Sequence, residues 1–200
     1  MNTVAPTATI PLVEAPVQQL TGTGKKAPPP VMLTSGLITF HLTHGGKSNF
    51  IVHLLDSNAN LVEGLVNVIG VFDGGTAVRI PKDGQYLFNV EADGPWTIAM
   101  LQPGRAEQAN AVVLPQTFHG SAPAHSPLIA SDAGALRLEM KHNGSGNFIV
   151  HVLDSKGTLI DGAANEIGAF DGAKTVRLPR KDTYMLVVEA NGPWSIVATH

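Results

Sequence analysis

Two stretches, NFIVHLLDS from Asn49 to Ser57 and NFIVHVLDS from Asn147 to Ser155, each place a histidine and an aspartate three positions apart inside an apolar run. An imidazole beside a carboxylate can relay a proton or hold a metal ion, provided both side chains reach the same point. Runs this rich in Val, Ile, Leu and Phe read as strands, where successive side chains alternate faces and residues three apart point to opposite sides of the sheet. His53 and Asp56, like their counterparts His151 and Asp154, therefore do not converge on a regular strand. Asp56 precedes SNAN and Asp154 precedes SKG, so each carboxylate is expected to cap its own turn through an Asx hydrogen bond. His53 shares its face with Ile51 and Leu55, which predicts a partly buried, satisfied imidazole.

Metal binding is the second chemistry to weigh. IGVFDGG (Ile69 to Gly75) and IGAFDGA (Ile167 to Ala173) each set an Asp-Gly after an aromatic residue, and β-sandwich loops do hold calcium through carboxylates and backbone carbonyls. Asp73 and Asp171 are thus the calcium candidates. Calcium asks for six to eight oxygens and each motif offers one carboxylate, so a glycine-permitted turn explains the motif with less. Arg79 and Arg177 point away from the apolar face and have Glu91 and Glu189 as candidate ion-pair partners. The third chemistry is sugar stacking, for which VEADGPWTI and VEANGPWSI supply the only two tryptophans, Trp96 and Trp194. Trp96, Ile98 and Met100 fall on one face of a strand, which predicts a core plug; a glycan reader would instead expose both indoles.

Those residues recur because the chain is duplicated. Shifted by 98 positions, residues 36–102 match 134–200 without a gap, and 30 of the 67 positions are identical. Fainter matches of Gln18 with Gln116, Gly22 with Gly120 and Pro29 with Pro127 extend each unit upstream. The expected organisation is an extended N-terminal arm over residues 1–16, a first repeat over 17–102, a linker over 103–115 and a second repeat over 116–200. Within a repeat, short alternating runs such as GLITFHLTHG, GQYLFNVEADG and PWTIAMLQ are separated by Gly, Asp, Asn and Pro. No window repeats apolar residues at helical spacing. The fold class is therefore all-β: two tandem antiparallel sandwiches, jelly-roll or immunoglobulin-like, with seven or eight strands each.

Composition narrows the function. With 13 Lys and Arg against 16 Asp and Glu, and basic residues adjacent only at Lys25-Lys26 and Arg180-Lys181, no basic stripe suits a nucleic acid. Pro6, Pro11 and Pro16 interrupt an N-terminus without a basic start, so neither a secretory signal nor a membrane span is expected. Zero Cys excludes disulfides, thiolate metal sites and a Cys nucleophile, and no GxSxG, HExxH or P-loop occurs. No enzyme and no cofactor is expected.

The strings GSGNFIVHVLDSKG, IGAFDG and VEANGPWSI, with LTGTGKKAPPP early in the first repeat, resemble an uncharacterised small β-sandwich module found singly or in tandem in bacterial surface and envelope-associated proteins. The resemblance implies a non-catalytic accessory or binding role and transfers no catalytic residue. The arm is nearly uncharged and spaces Val4, Ile10, Leu12 and Val13 among prolines, a composition suited to lying along a partner's groove or sheet edge. The expectation is a structural or docking protein, such as a virion decoration or envelope-associated protein, whose partner is a shell or envelope assembly or its own copies. A tandem carbohydrate-binding module, reading glycans through Trp96 and Trp194, is the alternative.

Overall fold

A computed structural model describes residues 18–200; the arm, with Val4, Ile10, Leu12 and Val13, lies outside the described residues. The described chain divides into two compact units, 18–102 and 103–200.

The first unit contains eight strands: β1 (Gln18–Thr23), β2 (Val31–Leu33), β3 (Gly36–His44), β4 (Asn49–Asp56), β5 (Leu61–Ile69), β6 (Phe72–Ile80), β7 (Gly84–Glu91) and β8 (Pro95–Leu101). The alternation seen in the sequence is the alternation of burial. In β8, Trp96, Ile98 and Met100 are buried while Pro95, Thr97, Ala99 and Leu101 face outward. All pairings are antiparallel, and the strands form two sheets in the orders β1-β8-β3-β6 and β2-β7-β4-β5. The chain crosses between sheets at every step except the hairpin from β4 to β5. That is the strand order of a jelly roll and excludes the immunoglobulin-like alternative.

One core fills the space between the sheets, with Ile38, Phe40, Phe50, Val52, Leu54, Phe88, Val90 and Ile98 almost wholly buried. Phe40 and Phe88 meet edge to face at 6.1 Å, and each such side chain contributes about 1.5–3 kcal/mol by leaving water. Tyr86 is buried too, and its hydroxyl donates to the Lys82 carbonyl at 2.7 Å, so the phenol reaches a partner.

The second unit repeats this design. After a short helix α1 (Arg105–Ala109) come β9 (Val112–Val113), β10 (Gln116–Gly120), β11 (Ala124–His125), β12 (Ile129–Ser131), β13 (Gly134–His142), β14 (Asn147–Asp154), β15 (Leu159–Ile167), β16 (Phe170–Leu178), β17 (Asp182–Ala190) and β18 (Trp194–Thr199). Its sheets run β10-β18-β13-β16 and β15-β14-β17-β12-β9, with β11 also pairing β17. Even the irregularities are copied. The ladder slips after Val52 and Leu54 in β4, and after Val150 and Val152 in β14. The turn from β5 to β6 places Gly70 at φ +92°, and its counterpart places Gly168 at φ +90°, conformations that glycine alone adopts without strain.

Two expectations are corrected. Residues 103–115 are not a free linker: β9 runs parallel to β12, and Val112 N–H donates to the Leu128 carbonyl at 2.8 Å. Nor do Arg79 and Glu91 pair, because Arg79 lies on β6 in one sheet and Glu91 on β7 in the other, both facing outward. The same separation holds for Arg177 on β16 and Glu189 on β17.

Candidate functional site

In the first unit, one residue from each strand of the β1-β8-β3-β6 sheet meets in a row. Register sets Thr21 against Thr97, Thr97 against Thr43, and Thr43 against Asp73. Trp96 and Ile98 flank Thr97, and Leu42 and His44 flank Thr43. All four flanking residues are core, so strand alternation turns both threonines outward, and Thr21 and Asp73 are themselves exposed. The Thr43 and Thr97 hydroxyl oxygens are 2.7 Å apart. Asp73 is 74% exposed, with Oδ1 3.1 Å from His41 Nε2. An open depression of about 960 Å3 lies over this row, bordered also by Thr23, Lys26, Val71 and Pro95.

Beneath it sits Trp96. The indole is 2% exposed and donates from Nε1 to the Gly24 carbonyl at 3.0 Å. Gly22 makes this burial possible, because a Cβ at that position would collide with the ring. Trp194 repeats the arrangement at 5% exposure, donating to the Ala122 carbonyl at 2.9 Å beside Gly120. Neither indole offers a face to a sugar, which removes both as stacking platforms.

A pair of buried histidines closes the same end of each sandwich, and the sequence reading missed them. His44 and His142 are buried, stacked on Phe50 and Phe148 at centroid distances of 4.7 and 4.9 Å. Nδ1 of each donates to the carbonyl of the turn glycine, Gly70 or Gly168, at 2.7 Å. Asp93 Oδ1 lies 3.3 Å from His44 Nε2. Asp93 Oδ2 accepts from the Lys47 and Ser48 backbone N–H groups, which hold its carboxyl below the ordinary range. The available signal was the repeat itself: between residues 36–45 and 134–143 only Gly36 and His44 are kept.

The remaining candidates separate into turns and ion pairs. Asp56 Oδ1 accepts from the Asn58 and Asn60 N–H groups, at 2.8 and 2.9 Å. Asp154 does the same for Lys156 and Thr158, so both are the Asx caps expected. The side-chain amide and N–H of Asn60 hold Asp56 below the ordinary carboxylate range. Burial opposes ionisation of Asp154, yet the Thr158 N–H and the Arg180 guanidinium, 2.6 Å away, hold its carboxyl low as well. His53 is half-buried, as expected, but His151 is exposed. The calcium candidates receive basic partners rather than more oxygens: Asp73 has His41, and Asp171 has Lys141 Nζ at 3.1 Å. Among the described residues no three His, Asp or Glu side chains converge as a metal site requires.

In the second unit the outward row reads His119, Ser195, Lys141, Asp171. A smaller depression of about 390 Å3 there is bordered by Arg137, Glu139, Lys141 and Asp171, which are already joined as Arg137 with Glu139 and Lys141 with Asp171. The two copies thus keep one core and present different faces.

No protein-family model matches the chain, and no curated protein matches it by sequence. Among solved structures it is similar to the PBSX exported protein XepA, at 11% identity and a TM-score of 0.25, over 92% of this chain and 81% of that one. It is also similar to the 11S allergen from Cocos nucifera L., at 10% identity and a TM-score of 0.24, over 86% and 76% of the two chains. Likeness at that level carries no argument about role, which rests on the chain's own surfaces.

Proposed function

We propose that this chain is a non-enzymatic structural or docking protein that attaches to a larger assembly or surface, such as a virion shell or a cell envelope. The observation that carries the reading is a set of exposed aliphatic residues held in both copies. Leu61 and Ile69 bracket β5 at 65% and 79% exposure, and Leu159 and Ile167 bracket β15 at 55% and 81%. Among the described residues, β5 and β15 pair on one side only, each being the outer strand of its sheet. An open strand edge flanked by apolar side chains supports docking of another protein segment by strand addition. Isolated exposed aliphatics are ordinary; the same pair kept at the same edge after the copies diverged elsewhere is what favours an interface.

The test is pelleting of the full chain with purified phage particles and with envelope fractions of the producing strain. Wild-type protein is expected to co-sediment with one of them, and Ile69→Lys with Ile167→Lys to remain in the supernatant at unchanged melting temperature. Pelleting with neither fraction, or equal pelleting by the double variant, overturns the reading.

A further inference from the structure

The outward row of the first unit has a chemistry that docking at the strand edge does not use. Thr21, Thr97 and Thr43 place three hydroxyls in register across β1, β8 and β3, and Asp73 adds a carboxylate on β6. Adjacent strands are about 4.8 Å apart, so the row spans about 14 Å in even steps. Each hydroxyl has one donor and two acceptor positions, and the bond between Thr43 and Thr97 uses only part of that capacity. A wholly apolar partner would strip water from the rest without replacing its hydrogen bonds. An anion would meet the exposed Asp73 carboxylate, and a cation would meet Lys26. A ligand that is neutral, extended and itself covered in hydroxyls satisfies the row.

We propose that this face binds one extended chain of a neutral polysaccharide, laid across the strands. Thr21, Thr97, Thr43 and Asp73 exchange hydrogen bonds with successive sugar hydroxyls. Val71, 78% exposed, and Pro95 border the depression and pack against the C–H surfaces of the sugar rings. The second unit is not a second site. Its row replaces the outer threonine with His119 and the inner one with Lys141, and Lys141 is tied to Asp171 at 3.1 Å. Duplication of the fold therefore does not duplicate the binding, and the stoichiometry is one ligand chain per protein.

The experiment is affinity electrophoresis of the full chain through gels containing hydroxyethyl cellulose, amylose or dextran, followed by calorimetric titration with a soluble oligosaccharide of any polymer that retards it. Retardation by at least one is expected, with one site per chain. Thr97→Val should weaken binding by about tenfold at an unchanged melting temperature, as loss of a hydrogen-bonding pair does. Ser195→Ala in the second unit should bind as wild type. If Thr97→Val fails to fold, Thr21→Val at the exposed end of the row takes its place with the same expectation. Retardation by none of the three polymers overturns the proposal. So does a Ser195→Ala loss equal to that of the threonine variant, or wild-type affinity in that variant. Pelleting with an assembly is read separately and is expected to survive both threonine variants, so failure of one reading does not hide failure of the other.

Discussion

At the scale of single residues, the stability of each unit depends on a few large side chains, among them a tryptophan and a tyrosine whose N–H and O–H groups are matched. Trp96 fills the space that Gly22 leaves open and spends its N–H on the Gly24 carbonyl. Trp96→Ala is expected to cost about 3–5 kcal/mol, read as a shift of the urea midpoint; an unshifted midpoint would show that the indole is not core. Asp154 makes a prediction with pH. Its carboxyl is held low in the folded chain, so its contribution is fully present above the unfolded value of about 3.9 and is lost as the pH falls below it. Asp154→Asn should flatten the acid limb of the stability curve and cost about 1.5–3 kcal/mol near neutrality, through the charge-assisted bond to Arg180. An unchanged acid limb would assign the cap no ionic role. Asp154 was legible in the sequence because an Asx turn is a local affair of Asp, Ser and Lys. His44 was not, because its burial depends on Phe50 and Gly70, which reach it only after folding. The threonine row was hidden for a related reason: Thr21, Thr43 and Thr97 become neighbours through register across three strands.

At the scale of elements, alternation in PWTIAMLQ and GQYLFNVEADG is enough to find β8 and β7, since a half-buried strand writes its period into the chain. Strand order is not written there. The pairing of β1 with β8 joins the two ends of the unit, so jelly roll and immunoglobulin-like sandwich look alike until the sheets are seen. The two-residue strand β9 shows the limit most clearly. Val112 and Val113 carry no period, and their parallel pairing with Ile129 and Ala130 is a tertiary event. The segment also supplies the Val113 carbonyl that accepts from Gln116 Nε2 at 2.8 Å. A fragment starting at residue 116 is therefore expected to melt below one starting at residue 103, as followed by circular dichroism. Equal melting temperatures would make residues 103–115 dispensable to the unit.

At the scale of the whole molecule, each unit has its own core and its own pair of sheets. Residues 18–102 alone should give a cooperative thermal transition with a β-type spectrum, although a unit this small buries only about 60–65% of its unfolded surface. An aggregating fragment without that transition would mean that the first unit needs the rest of the chain. The pairing of first strand with last also has a mechanical side. Gln18 opposes Met100, so the two ends of the first sandwich leave from the same edge, side by side. Tension applied through those ends loads the hydrogen bonds of the ladder one after another, as a zipper opens, instead of loading them all at once in shear. Such a unit yields at low force, so the first sandwich is poorly suited to bearing load through its two ends.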